Sequence, residues 1–182
     1  MSMMLAQRLA ELGIDPQTLA ARGLRLHAEP AALVEADRGA DGRVFELIAP
    51  AAVAWQQLRD AAAADGISLF LVSAFRSIAR QHEIVAAKLA RGQRLEEILR
   101  VSAAPGYSEH HTGRAIDIGT PGSPLLEQEF ETTAAYAWLT AHAGRFGFTL
   151  SYPAGNADGY LYEPWHWCWQ TPDPRTPKEQ QV

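Results

Sequence analysis

The 182-residue chain is 47% hydrophobic and 20% charged, enough for one domain with a buried core, and its net charge of −5 offers no basic field for nucleic acid or anionic membranes. Its one cysteine, Cys168, excludes an internal disulfide framework and a thiolate-rich zinc knuckle, so any metal must be held by histidine and carboxylate. No stretch approaches the roughly 18 apolar residues of a membrane span, and Arg8 and Glu11 interrupt what would be the apolar part of a signal peptide. The chain as written is therefore expected in the cytoplasm, with the periplasm or cell wall as the alternative.

Met4, Leu5, Leu9 and Leu12 recur at helical spacing, so residues 1–40 are predicted as one or two small helices outside the main core, with a packing or oligomer-contact role. RVFELI (43–48) alternates as a strand does, and Pro50 then opens a helix that stops at Gly66. ISLFLVSAF (67–75) is a continuous apolar, β-branched run expected as a central buried strand, ending in Arg76. Ser77 is a candidate N-cap for a helix that ends at Gly92, and a second short helix, LEEILRV, is closed by Pro105-Gly106.

GRAIDIG (113–119) reads as a short strand, 132–147 as a helix burying Tyr136, Leu139 and Phe146, and FTLSYP (148–153) as another strand. AGNADG is a turn, YLYEPWHWCW (160–169) returns as an extended segment, and the Pro-rich 171–182 is expected to be a disordered tail. Strands separated by helices of unequal length, with no glycine-rich phosphate loop, predict an α+β domain. The expected organisation is a helical extension over 1–40, a main domain over 41–170 and a tail over 171–182.

Three strand ends carry unusual polar residues: Arg76, then His110 through Asp117, then Glu163 through His166. The stretch PGYSEHHTGRAIDIG can be the rim of a metal site or an ordinary loop entering a strand. On an extended GRAIDIG, Ala115, Asp117 and Gly119 share one face, so Asp117 has small neighbours and room beside its carboxylate. Gly113 can turn the chain so that His110 approaches that carboxylate. In EPWHWCW alternation puts Trp165, Trp167 and Trp169 on one face and His166 and Cys168 on the other, which aims His166 away from the indoles.

His110, Asp117 and His166 would then supply three protein ligands and leave a fourth position for water, the pattern of a catalytic zinc. Glu163 stands three residues before His166, and a bend at Pro164 can bring its carboxylate round as a general base that does not bind the metal. Arg76 is placed to polarise a scissile carbonyl.

The run Ser108-Glu109-His110-His111-Thr112-Gly113-Arg114-Ala115-Ile116-Asp117 resembles the S-x-H-x-x-G-x-A-x-D motif of the LAS-type zinc peptidases, named for lysostaphin, D-alanyl-D-alanine peptidases and hedgehog. Glu163-Pro164-Trp165-His166 resembles their second motif, E-x-W-H. The chain is most similar to VanY-like D-alanyl-D-alanine carboxypeptidases, through Ser73 to Ser77, Gln81, the P-G-x-S-E-H run and Phe146 to Pro153. Residues 45–169 carry the resemblance; Cys168 stands where many relatives have arginine, and residues 1–40 have no counterpart.

The resemblance implies a small antiparallel sheet flanked by helices, the hedgehog/DD-peptidase-like fold. It implies Zn2+ on His110, Asp117 and His166, Glu163 as catalytic base, Arg76 on the substrate carbonyl, and Gln81 and Ser108 holding the substrate's terminal carboxylate or peptide. The expected activity is removal of a C-terminal D-alanine from a peptidoglycan stem peptide or its precursor. An L,D-carboxypeptidase or an endopeptidase would use the same residues, and a zinc-binding recognition module without turnover is the reading from another class. His27, His82 and His142 are expected as ordinary surface or loop histidines, His111 behind the ligands or at the rim, and Cys168 as a small buried residue.

Overall fold

A computed structural model describes residues 1–171. Helices α1 (Met3–Glu11) and α2 (Pro16–Ala21) lead into a two-stranded antiparallel ribbon of β1 (Val34–Arg38) and β2 (Val44–Leu47). Helix α3 (Ala49–Ala64) follows, then β3 (Phe70–Ser73), α4 (Ile78–Ala90), α5 (Leu95–Val101) and β4 (Ala115–Gly119). Helix α6 (Ala134–His142), β5 (Phe148–Leu150) and β6 (His166–Trp169) complete the chain, with short 3-10 turns at Glu109–Thr112, Gln128–Thr132 and Ala143–Phe146. The antiparallel order β3-β4-β6-β5 makes the expected small sheet among helices, so the α+β class holds. Among the described residues no helix is long and apolar enough to cross a membrane. The tail expected over 171–182 lies outside the described residues from 172 onward.

The register of that sheet decides where the chemistry can sit. Ser73 pairs with Asp117 and Asp117 with His166, so three polar residues form one row across three adjacent strands. Ile116 pairs with Trp167, which pairs with Leu150, and this neighbouring row points the other way because side chains alternate. The apolar face packs on α3 and α6, joining Trp55, Leu58, Ile116, Ile118, Leu139, Phe148, Trp167 and Trp169 in one core. Each such burial contributes about 1.5–3 kcal/mol relative to exposure, which holds the polar row rigidly on the opposite face.

Several elements depart from expectation for identifiable reasons. The apolar run from Ile67 to Phe75 enters the ladder only over Phe70–Ser73, because β4 offers only five residues and the backbone beyond is used elsewhere. The Phe75 N–H goes to the Glu46 carbonyl and the Ala74 carbonyl accepts from His110. The helix expected over 132–147 is shorter: Thr133 caps α6, and a 3-10 turn closes on Gly147 at φ 82°. Tyr136 is only half-buried, with Trp138 in its place in the core and donating to Asp65 at 2.7 Å.

Residues 1–40 are not purely helical, since β1 lies within them, and Met4 is exposed. Leu5, Leu9, Leu12, Ile14 and Leu19 build a second core with Val85 of α4, Ile98 of α5 and Tyr107. This core is tied to the rest of the chain by Arg22, which donates to the Asp158 carbonyl at 2.7 Å and lies 5.2 Å above the Tyr160 ring.

Gly113 occupies the left-handed region at φ 64°, and its carbonyl accepts the Ile48 N–H at 2.9 Å. A Cβ there would meet Leu33 Cδ2 at 2.8 Å and the Ile48 nitrogen at 3.2 Å. Replacing Gly113 with alanine is expected to lower the unfolding free energy by about 2 kcal/mol, the cost of left-handed backbone plus crowding, read by denaturant titration. An unchanged midpoint would show that this turn relaxes freely.

Candidate metal centre and cleft

His110, Asp117 and His166 are all buried, and their ligating atoms lie within 4.8 Å of one another. Three different local devices bring them there. His110 comes from the 3-10 turn that Gly113 ends, Asp117 from the middle of β4, and His166 from the first residue of β6. Asp117 spans the two imidazoles: Oδ2 is 3.2 Å from His110 Nε2 and Oδ1 is 3.0 Å from His166 Nδ1.

Each ring nitrogen turned away from Asp117 has its own acceptor. His110 Nδ1–H donates to the Ala74 carbonyl at 2.7 Å, and His166 Nε2–H donates to Glu109 Oε2 at 2.9 Å. Two imidazole nitrogens and a carboxylate oxygen therefore converge, a donor set suited to zinc once the inward nitrogens give up the protons they share with Asp117. Burial lowers the pKa of His166, but its hydrogen bonds to Asp117 and Glu109 outweigh that and push it up to about 10, so zinc binding here would release a proton. Burial alone would raise the Asp117 carboxyl, but the charge and hydrogen bond of His110, with those of His166, hold it far below the usual carboxylate range. Burial lowers the pKa of His110, which favours the neutral imidazole a metal needs.

The cluster lies at the wall of a cavity of about 1170 Å³ that Arg76, Ser108 and Glu163 also line. Glu163 reaches it through a bend. Pro164 and Trp165 form a turn closed by the His166 N–H on the Glu163 carbonyl at 3.1 Å, and the Glu163 N–H is held by the Tyr152 carbonyl at 3.1 Å. Its Oε2 ends 3.9 Å from His166 Nδ1, beside the donor set but outside it. Burial pushes the Glu163 carboxyl up to about 7, with Asp117 adding to the rise and His166 opposing it. A carboxyl that holds and releases a proton near neutral pH is matched to general acid–base work.

Arg76 donates from Nη1 to Gln81 Oε1 at 2.9 Å and from Nη2 to Ser73 Oγ at 3.1 Å, with Nη2 3.8 Å from Asp117 Oδ2. Gln81 does not reach the cavity as expected. It is fully buried, and its amide nitrogen donates to the Ala103 carbonyl at 2.7 Å, so both of its polar ends are occupied and it acts on the cleft through Arg76. Ser108 does line the cavity.

Of the two places expected for His111, behind the ligands or at the rim, the structure takes the first. His111 is fully buried, accepts the Gly106 N–H on Nε2 at 3.1 Å and donates from Nδ1 to the Arg76 carbonyl at 2.6 Å, tying the motif loop to the arginine. His142 packs against the Trp138 ring at 4.8 Å, and His82 lies 3.1 Å from Glu11. Cys168 is buried on the His166 face opposite Ala115 and outside the donor set; burial and the nearby Glu109 carboxylate push its thiol up.

Sequence reasoning missed three residues at this site. Glu109 bonds His166; Lys88, on the cavity wall, donates to Ser102 Oγ at 2.6 Å; and the Tyr152 ring lies 4.7 Å from that of His166. Glu109 and Tyr152 had a signal, their places inside the first motif and inside the Phe146 to Pro153 stretch, and Lys88 had none. Reading the first motif as extended sends adjacent side chains apart, whereas in a 3-10 turn Glu109 and His110 are about 120° apart and can flank one site.

Residues 45–172 match the family described as VanY: D-alanyl-D-alanine carboxypeptidase. A D-alanyl-D-alanine carboxypeptidase of Enterococcus faecalis (strain ATCC 700802 / V583) is 35% identical over 122 residues, covering 62% of this chain and 44% of that protein. The chain spans less than half the length of the curated relatives it matches, 43% and 44% of the first two. Among solved structures, the LdcB LD-carboxypeptidase superimposes with a TM-score of 0.70 at 32% identity, over 79% of this chain and 70% of that one. The vancomycin resistance D,D-pentapeptidase VanY of the VanB-type cassette, solved as a mutant in complex with Zn(II), does so with a TM-score of 0.60 at 30% identity, over 80% and 84%.

Proposed function

Because the chain belongs to the VanY family of D-alanyl-D-alanine carboxypeptidases, we propose that it is a zinc-dependent D,D-carboxypeptidase that removes the C-terminal D-alanine of a peptidoglycan stem peptide or its precursor. The observation that carries this reading is Glu163 poised 3.9 Å from His166 at the edge of a His-Asp-His donor set, on the wall of a cleft that also presents Arg76. His110 through Nε2, Asp117 and His166 through Nδ1 would hold the zinc. Bound there, zinc supplies a Lewis acid that polarises a carbonyl and lowers the pKa of water to roughly 7.

The chain's own residues account for the proton and charge movements. Glu163 takes a proton from the attacking water as the new C–O bond forms, and returns it to the amine nitrogen as the C–N bond breaks. Its carboxyl, raised by burial to about 7, changes protonation state at little cost in both directions. Arg76, fixed by Gln81 and Ser73, stabilises the negative charge that develops on the carbonyl oxygen. The cation at that end of the cleft is reinforced by Lys88, and together they favour a substrate that ends in a free carboxylate. Ser108 is available on the same wall as a polar contact for that end.

The likeness to the LdcB LD-carboxypeptidase supports a second reading, removal of the same residue from a tetrapeptide. The test is mass spectrometry of a muramyl pentapeptide ending in D-Ala-D-Ala, and of the matching tetrapeptide, incubated with the protein with and without a zinc chelator. Chelator-sensitive loss of one alanine from the pentapeptide is expected. Cleavage of the tetrapeptide alone would establish the second reading, release of a dipeptide or an internal cut would make the protein an endopeptidase, and no cleavage of either would refute the carboxypeptidase.

A further inference from the structure

Two glutamates touch His166, and they approach it from opposite sides. Glu163 reaches the Nδ1 side from the cleft wall, whereas Glu109 sits on the Nε2 side, with Oε2 at 2.9 Å, and does not line the cleft. Glu109 thus stands behind the cleft lining, and its carboxylate bonds a ring that is itself almost fully buried. We propose that Glu109 is the positioning residue of the metal centre: by accepting the Nε2–H of His166 it fixes the ring rotation, and in the zinc-loaded protein the tautomer, that present Nδ1 to a metal beside Asp117 and His110. The inference rests on the reading that this cluster holds zinc.

The need for such a residue follows from the fold. His110 is steadied by a backbone acceptor, the Ala74 carbonyl just past the end of β3, which has no side-chain freedom. His166 is the first residue of β6, directly after the turn at Pro164-Trp165, and the atom that receives its outer N–H belongs to a side chain. A histidine that binds a metal through one nitrogen is commonly oriented by a carboxylate or carbonyl on the other, and a carboxylate also increases the basicity of the ligating nitrogen. A charge-assisted hydrogen bond is roughly twice as strong as a neutral one, so Glu109 holds its ring more firmly than Ala74 holds the other. The site would then have one ligand orientation set by backbone and one set by a replaceable side chain.

The experiment compares wild type with Glu109→Ala and Glu109→Gln. Zinc affinity is measured by competition with a chromophoric chelator, and the tautomer of His166 by 15N–1H correlation spectra of the zinc-loaded, histidine-labelled protein. Wild type is expected to carry its ring proton on Nε2. Glu109→Ala should weaken zinc binding by about 10- to 100-fold, the usual effect of losing an outer partner, and lower kcat with KM nearly unchanged.

Glu109→Gln keeps an acceptor oxygen without the charge, so its loss should fall between wild type and alanine; it is nearly isosteric and preserves the test if the alanine variant fails to fold. Wild-type zinc affinity in both folded variants, or in the glutamine variant alone where alanine unfolds, would overturn the inference. A wild-type protein that takes up no zinc would overturn it together with the proposed function, whereas zinc binding without peptide cleavage would leave it standing and refute only the activity.

Discussion

Glu163→Gln is expected to lower kcat by about 10²- to 10⁴-fold, the range a positioned general base supplies, while zinc binding stays within a few-fold of wild type. The two halves of this prediction come from separate features of the geometry. Glu163 lies outside the donor set, 3.9 Å from His166, so removing its charge takes no ligand from a metal. Glutamine has nearly the same volume and can keep the turn at Pro164-Trp165, but its amide cannot accept the water's proton or carry one to the leaving amine. The measurement is steady-state cleavage of the D-Ala-D-Ala pentapeptide alongside metal content by elemental analysis. Full activity in this variant would transfer the role of base to another group; loss of activity together with loss of zinc would place Glu163 among the ligands.

Asp117→Asn is expected to have the larger effect on the metal. Asp117 is buried and faces His110, His166 and Arg76 at 3.2, 3.0 and 3.8 Å, and it is the negative charge between the two imidazoles. Asparagine is isosteric but neutral, and either rotamer offers at least one N–H where an acceptor is required. Its zinc affinity should fall by more than the roughly 100-fold that loss of an outer-shell partner costs, and peptide cleavage should fall with it. Competition with a chromophoric chelator reads the first effect and the cleavage assay the second.

The fold should survive in that variant, because the apolar face of the sheet is untouched and the row Ser73–Asp117–His166 is held by backbone pairing. Wild-type affinity in a folded Asp117→Asn protein would remove this residue from the ligand set. Together with Glu163→Gln, the variant separates holding the metal from moving the proton.

How much of this was legible beforehand depended on the range of each interaction. Strand alternation is a property of a few consecutive residues, and it correctly put His166 opposite Trp167 and Trp169 and Asp117 opposite Ile116 and Ile118, whereas Trp165, in the turn before β6, lines the cleft with His166. Gly113 in the left-handed region and Ser77 as an N-cap, accepting from Arg80 at 3.0 Å, were likewise local. The motif spacing put His110, Asp117, His166, Glu163 and Arg76 forward, and the fold brings them to one cleft wall. Where the reading failed, the deciding partner was remote. The apolar run from Ile67 to Phe75 has no internal reason to leave its ladder at Ser73; the reason is that Glu46 and His110 take its backbone groups.

Gln81 illustrates the same limit inside the site. Its place after Arg76 suggested substrate contact, but Ala103, 22 residues on, takes its amide and Arg76 takes its oxygen, leaving it buried behind the cleft. Glu109 and His166 are 57 residues apart, and nothing in either stretch announces that one will accept the other's proton. The N-terminal helices were similarly ambiguous, since an amphipathic face records that something covers it but not what; the cover is α4, α5 and Tyr107.

The sequence by itself determined the class of the fold, the apolar and polar faces of its strands and the chemical types gathered at their ends, because these follow from side-chain period, turn chemistry and residue identity. Only the tertiary structure decided which side chains touch the cleft and which stand behind it, because that depends on strand register and on hydrogen-bond partners far away in the chain.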